Sequence, residues 1–364
     1  MVAPADNDPL APPRDRELLL RFCRHHGIPA GVEQAGATEA DAAPAAQAKL
    51  SVAASLPSSG GQRGVKQAGA SEADAAPAGA ACLAARGRTL VLTSLRARAH
   101  PLAARIMGNP QGKPAGIPAA EREWLLEKVA AAFARLPYEN LSKVVSGHQG
   151  PFVSRSRRHP ARVIDEHLRL GTGGTCFSLT AALLHLVRAL GYRAAPLLAD
   201  RHYGTDTHCA LLVWLRGRPH LLDPGYLVTS PLPWPGTGNT RWQGPFNQIE
   251  LRATGCGRVE LHTGNGRQWR QRLTFHAGPA SEHDFLRAWE ASFDWPMMRR
   301  PVLTRVSGGC QLYLQGNRLL VRHRRGTRAL QLEREHLGDE IIRLFGIDRR
   351  VVAPALELLR QRGQ

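Results

Sequence analysis

The stretch RLGTGGTCFSLTAALLHLVRALGYR, Arg169 to Arg193, constrains this chain more than any other. Glycines and threonines crowd into a short loop, and Cys176 follows at the first turn of an amphipathic helix. Phe177, Leu179, Leu183, Leu184, Leu186, Val187 and Leu190 give that helix a face wide enough for burial, and Gly191 supplies its C-terminal stop. A structural cysteine needs no glycine-rich approach. A reactive one uses it, because glycine lets a substrate's carbonyl come close. The helix N-terminus also favours thiolate over thiol.

Around this centre the pattern changes twice. Asp15 to Ile28 has Leu18, Leu19, Phe22 and Cys23 at helical spacing and a stop at Gly27. The segment GVEQAGATEADAAPA from Gly31 recurs as GVKQAGASEADAAPA from Gly64. Two copies without large apolar residues make no solenoid, so 31–80 reads as a duplicated, largely disordered insertion. Ala120 to Leu141 is a helix with Trp124, Leu125, Val129, Phe133 and Leu136 on its apolar face, ended by Pro137. RVIDEHLRLG is a shorter one. From Tyr192 short alternating strands take over (AAPLLAD, HCALLVWL, RPHLLDPG, NQIELRA, GRVELHT, QWRQRLTFH), interrupted by the helix HDFLRAWEASFD. Two or three more strands and two helices close the chain. The domain organisation read from this is a helical domain over 1–30 and 90–190 that carries the nucleophile, a β-rich domain over 191–296, and an α/β lid over 297–364.

Composition narrows the function classes. The formal charge is +18, and nearly every basic residue is arginine; Lys49, Lys66, Lys113, Lys128 and Lys143 are the lysines. Abundant Ala, Arg, Gly and Pro point to codon bias before they point to an anionic partner. Few aromatics lie among the arginines, and no nucleic-acid motif is visible. No apolar run reaches membrane-spanning length, and no secretory pattern opens the chain, so the cytoplasm is the expected compartment. Cys23, Cys82, Cys176, Cys209, Cys256 and Cys310 form no C-x-x-C pair, and no metal site is expected.

A cysteine nucleophile needs a base and a group that orients the base. GTDTHCALLVWL puts His208 on a strand, and GRPHLLDPGYL puts Asp223 near the end of the next. Adjacent antiparallel strands bring such side chains together. His202 looks loop-borne. His220 lies at odd spacing from Asp223 and should face the other way.

GTGGTCFSL, THCALLVWL and LLDPGYLVTSPLP, taken in order, resemble the arylamine N-acetyltransferase family, with its R-G-G-x-C-F-E-x-N loop, T-H strand and D-V-G-F-G segment. LPYENLSKVV resembles its P-F-E-N-L motif, and LLLRFCRHHGI and IIRLFGI fit its ends. The resemblance spans nearly the whole chain apart from the insertion. It implies an α+β, papain-like cysteine-triad fold, with an N-terminal helical bundle, a central antiparallel β-barrel and a C-terminal α/β lid. It implies a Cys176–His208–Asp223 triad that takes an acetyl or other acyl group from acyl-coenzyme A. An arylamine, hydrazine or similar amine then removes it. Gly173, Gly174, Thr175, Gly225 and Tyr226 are the expected co-substrate contacts.

The chain departs from the family pattern at four positions. Thr172 stands for arginine, Ser178 and Thr180 for glutamate and asparagine, and Leu227 for the second glycine of G-F-G. The lost charges imply that the bracing of the active-site loop is rebuilt, and Leu227 narrows the floor beneath the substrates. Two other readings share these residues. One is a CoA-independent thiol hydrolase or amide synthase of the transglutaminase-like type, and the other a catalytically degenerate binding module.

Overall fold

The computed structural model describes residues 8–29, 119–148, 157–244, 246, 248–264, 268–323 and 326–362. The duplicated segment over 31–80 lies outside the described residues. The helices are α1 (Glu17–His25), α2 (Ala119–Phe133), α3 (Leu141–His148), α4 (Pro160–Leu170), α5 (Cys176–Ala189), α6 (Glu282–Ala291), α7 (Leu337–Phe345) and α8 (Arg349–Arg362). The strands are β1 (Tyr138–Glu139), β2 (Ala194–Arg201), β3 (Gly204–Leu215), β4 (Arg218–Asp223), β5 (Val228–Pro233), β6 (Asn239–Gln243) and β7 (Gln248–Ala253). They continue as β8 (Val259–Gly264), β9 (Trp269–Phe275), β10 (Val302–Ser307), β11 (Cys310–Gln315), β12 (Arg318–His323) and β13 (Gly326–Gln331).

Strands β2 to β9 form one antiparallel sheet in the order β5-β4-β3-β2-β9-β8-β7-β6. Its end strands approach each other, so the sheet is nearly a closed barrel. Leu197, Leu212, Leu221, Leu261 and Phe275 fill the interior. The outer side of β2 and β3 receives α5, whose Leu179, Leu183 and Leu186 pack with Cys209, Leu211 and Val213. Burial on both sides explains why HCALLVWL reads as a continuous apolar run. Phe285 and Trp289 of α6 join the same helical core, so that helix serves the helical layer although it follows the barrel in sequence.

The second sheet has the order β1-β10-β11-β12-β13. Its first strand comes from far upstream: Tyr138 pairs with Thr304 and Glu139 with Leu303. Leu141 and Val144 of α3 are likewise buried with Leu303, Leu314, Ile341 and Val352. The segment LPYENLSKVV therefore helps build the core of the lid. Among the described residues no helix is long and apolar enough to cross a membrane.

Candidate active site

Helix α4 begins with Pro160 at a position where its missing N–H costs nothing, and Gly171 ends it with φ +67°. The chain then runs through Thr172 to Thr175 and re-enters a helix at Cys176. The path is fixed by close approach to the loop after α2. A side-chain carbon on Gly173 would lie 1.8 Å from the Pro137 carbonyl oxygen. Only glycine fits there. Gly174 N–H donates to the same carbonyl at 3.3 Å, and the Gly174 carbonyl accepts from Glu139 N–H at 2.9 Å.

Cys176, His208 and Asp223 are all buried, at 2%, 0% and 0% exposure. His208 Nε2 lies 2.8 Å from an Asp223 oxygen. The register pairs Leu211 with Leu222. Asp223 thus falls diagonal to His208 on the same sheet face. Its other oxygen accepts from Gly225 N–H at 2.9 Å and Tyr226 N–H at 3.0 Å. With Nε2 committed to Asp223, Nδ1 is the remaining ring nitrogen, and Arg201 Nη2 lies 3.0 Å from it. A side chain on Gly225 would press on the imidazole, its first carbon 2.9 Å from Cε1. Tyr226 stands edge-on to the ring at 5.2 Å. Gly225 and Tyr226 thus touch Asp223 and His208 directly, and Gly173 to Thr175 form the loop that leads into Cys176. His202 is exposed, and His220 Nδ1 meets the Arg218 carbonyl at 2.9 Å, so neither rival ring joins the site.

The electrostatics separate the charges. Hydrogen bonds from Cys209 and His208, together with the nearby charges of His208 and Arg201, hold the Cys176 thiol well below its ordinary range despite burial. Burial pulls His208 down, but the Asp223 carboxylate outweighs it and the ring is more basic than usual. Burial pushes the Cys209 thiol up, as does the sulfur of Cys176 beside it. Cys209 also donates to Thr180 Oγ1 at 3.5 Å.

Arg158 and Arg201 are functional candidates that the sequence pattern did not single out. Arg158 is 3% exposed. It donates to the Gly173 carbonyl at 2.5 Å, pairs with Glu166 at 2.8 Å and lies 3.9 Å from Glu139. Glu139 in turn accepts from Ser142 N–H at 2.9 Å and Gly173 N–H at 3.3 Å. The cation missing at Thr172 is therefore supplied from a segment upstream, where it is one arginine among many in SRSRRHP. Arg201 Nη2 lies 3.0 Å from His208 Nδ1, and its guanidinium spans the rings of Tyr203 and Tyr226. Cys209 was visible as the residue after His208, without a sign of its role. Leu227 adopts φ +59°, the left-handed backbone that a glycine would take freely. Its side chain is 9% exposed, beside a cavity of about 290 Å³ lined also by Trp242 and Phe246. Among the described residues one cluster, Asp200, Asp206 and His276, has metal-like spacing. Its carboxylates already meet Arg258 and Arg287.

A family model described as N-acetyltransferase matches residues 123–348, more than half of the chain. No curated protein matches the sequence. Solved structures with the same fold include the arylamine N-acetyltransferase from Mycobacterium abscessus, at 21% identity and TM-score 0.56 over 66% of this chain and 87% of that one. The Mycobacterium marinum enzyme in complex with CoA matches at 21% identity and TM-score 0.57, covering 66% and 92%. The Salmonella typhimurium enzyme matches at 18% identity and TM-score 0.55, covering 67% and 94%. With the family model spanning the glycine loop, the barrel and most of the lid, the chain belongs to the arylamine N-acetyltransferase family.

Proposed function

We propose that the protein transfers an acetyl or related acyl group from acyl-coenzyme A to an aromatic amine, hydrazine or similar acceptor through a thioester on Cys176. The observation that carries this reading is the buried His208–Asp223 pair, 2.8 Å apart, in the same chain as a Cys176 buried at the first turn of α5 behind the glycine loop.

In the first half-reaction the Cys176 thiolate attacks the acyl carbonyl carbon, and His208 holds the proton it has taken from sulfur. The first turn of α5 receives no side-chain cap from Thr175. Its N–H groups are suited to hold the oxyanion of the tetrahedral intermediate. Collapse breaks the carbon–sulfur bond to coenzyme A, and His208 returns the proton to the leaving thiolate. In the second half-reaction the neutral amine attacks the thioester, His208 accepts a proton from nitrogen, and the Cys176 thiolate departs. Asp223 keeps the ring oriented throughout and supports its positive state. The acceptor approaches past Tyr226 and Leu227.

Intact-protein mass spectrometry tests this. Mixing with acetyl-CoA is expected to add one acetyl group to the wild type and none to Cys176→Ala. Amines are expected to release it with the acetyl group bonded to nitrogen. A wild-type protein that gains no mass, or an alanine variant that gains the same mass, overturns the assignment.

A further inference from the structure

Behind the glycine loop lies a second cavity, of about 510 Å³, between the helical layer and the lid. Its walls carry Arg135 after α2, Arg169 on α4 and Arg305 on β10, with His26 and His167 between them. None of the three guanidiniums has a carboxylate partner among the described residues, although ion pairs are frequent elsewhere on the chain. The one acid on the wall, Asp348, is already engaged by Arg350, whose side chain lies at 2.9 Å and whose backbone N–H donates at 2.8 Å. Cations gathered around a cavity without a counter-charge repel one another, and an anion relieves the repulsion.

The shape of the wall depends on two glycines. A side-chain carbon on Gly346 would lie 2.5 Å from Arg305 Nη1, and one on Gly171 would lie 2.0 Å from the Gly346 carbonyl oxygen. Their absence lets the Arg305 head lie across the backbone where lid and loop meet. His26 stacks on His167, with ring centroids 5.8 Å apart. Nε2 of His26 is enclosed and has no hydrogen-bond partner among the described residues. Nδ1 of His167 lies 2.8 Å from the Thr172 carbonyl oxygen, to which it donates, so Nε2 is its open position.

We propose that this cavity binds a phosphate-bearing anion, clamped between the helical layer and the lid by Arg135, Arg169 and Arg305, with His26 and His167 as further donors once their rings are protonated. Guanidinium forks match phosphate oxygens in number and geometry. The phosphate belongs either to a free phosphorylated compound or to coenzyme A. The site lies apart from Cys176 but shares the loop that leads to it.

Binding is coupled to protons. Burial, with His167, His25 and Arg135, holds His26 down at about 4. Burial, with His25 and Arg305, holds His167 at about 4 against the upward pull of the Thr172 carbonyl. His25, Arg135, Arg169, Arg305 and Asp348 are the charged and titratable groups around the two rings. An anion placed among them favours the charged imidazoles, so protons are taken up as it binds and affinity rises toward acid.

Calorimetric titration of the full-length protein tests the site, with inorganic pyrophosphate as probe and sulfate, which does not titrate in this range, for the pH arm. Arg169→Gln and Arg305→Gln are each expected to weaken pyrophosphate by about ten- to hundredfold. Arg169 is exposed, so its variant folds even if the lid resents the other change. Sulfate is expected to bind more tightly at about pH 4.5 than at about pH 6.5, with proton uptake. Displacement of pyrophosphate by coenzyme A, with a raised KM for acetyl-CoA in Arg169→Gln, assigns the phosphate to the co-substrate. Binding that coenzyme A leaves untouched assigns it to a separate compound. No pyrophosphate binding by the wild type, or an affinity that neither variant changes, overturns the proposal. A sulfate affinity flat with pH overturns the part given to the imidazoles.

Discussion

Arg201 places a guanidinium nitrogen 3.0 Å from Nδ1 of His208, the ring atom that Asp223 leaves free. Its positive charge favours the Cys176 thiolate and opposes a positive His208. Arg201→Met is therefore expected to move Cys176 alkylation by iodoacetamide to higher pH. Acyl transfer at neutral pH should fall roughly tenfold. An alkylation profile that does not move shows that the arginine serves packing alone.

Asp223→Asn is expected to keep the fold and to lower the rate by about three to four orders of magnitude. The amide oxygen still accepts from Gly225 and Tyr226, as the carboxylate does. Its NH2 then faces Nε2 of His208 and forces the proton onto Nδ1, where the base needs a lone pair. Circular dichroism beside steady-state kinetics separates loss of fold from loss of tautomer.

Arg158→Met leaves Glu139 without its cation and removes the bond to the Gly173 carbonyl. Breaking a buried charge network of this kind costs about 3 kcal/mol. Denaturant unfolding should register that loss. A rate that also falls at temperatures where the variant is fully folded marks Arg158 as a positioning residue for the nucleophile loop.

Leu227→Gly frees a left-handed backbone position, a gain of about 1 kcal/mol that offsets part of the lost burial. It also opens the floor toward Trp242 and Phe246. The expected result is a melting temperature lowered by a few degrees and a higher kcat/KM for bulky aromatic amines relative to small ones. An unchanged ratio would show that acceptors do not pass this side chain.

Lys143 is buried, with its ammonium donating to the Ser292 carbonyl at 2.9 Å and lying over the Phe293 ring at 4.4 Å. Burial lowers it from 10.5 to about 7. Between those values the unfolded chain binds the proton and the folded one does not, so stability rises with pH across that window. Lys143→Met is expected to remove this rise, read as the difference between the two proteins' unfolding free energies at each pH.

The pairing of His208 with Asp223 was legible because both sit in motifs whose periodicity fixes their faces. His208 lies on a continuous apolar strand, and Asp223 is one short hairpin downstream on the matching face. The main helices and most strands followed from the same periodicities. Residues 228–233 and 239–243 were not read as strands, because prolines and polar residues break their alternation. They pair at the ends of the barrel sheet, where tertiary contacts decide. Arg158 and Arg201 were illegible for a different reason. In a chain so rich in arginine, residue type carries little information, and only burial distinguishes the bracing cation from the solvated ones.

The two-residue strand β1 has neighbours on both sides. Tyr138 pairs with Thr304 of the lid on one side and forms a parallel bridge with Gly174 of the nucleophile loop on the other. A hinged flap that swung outward would have to unzip this seam and drag the cysteine's own loop out of register. The short strand thus rivets the lid and the cysteine's loop into one piece.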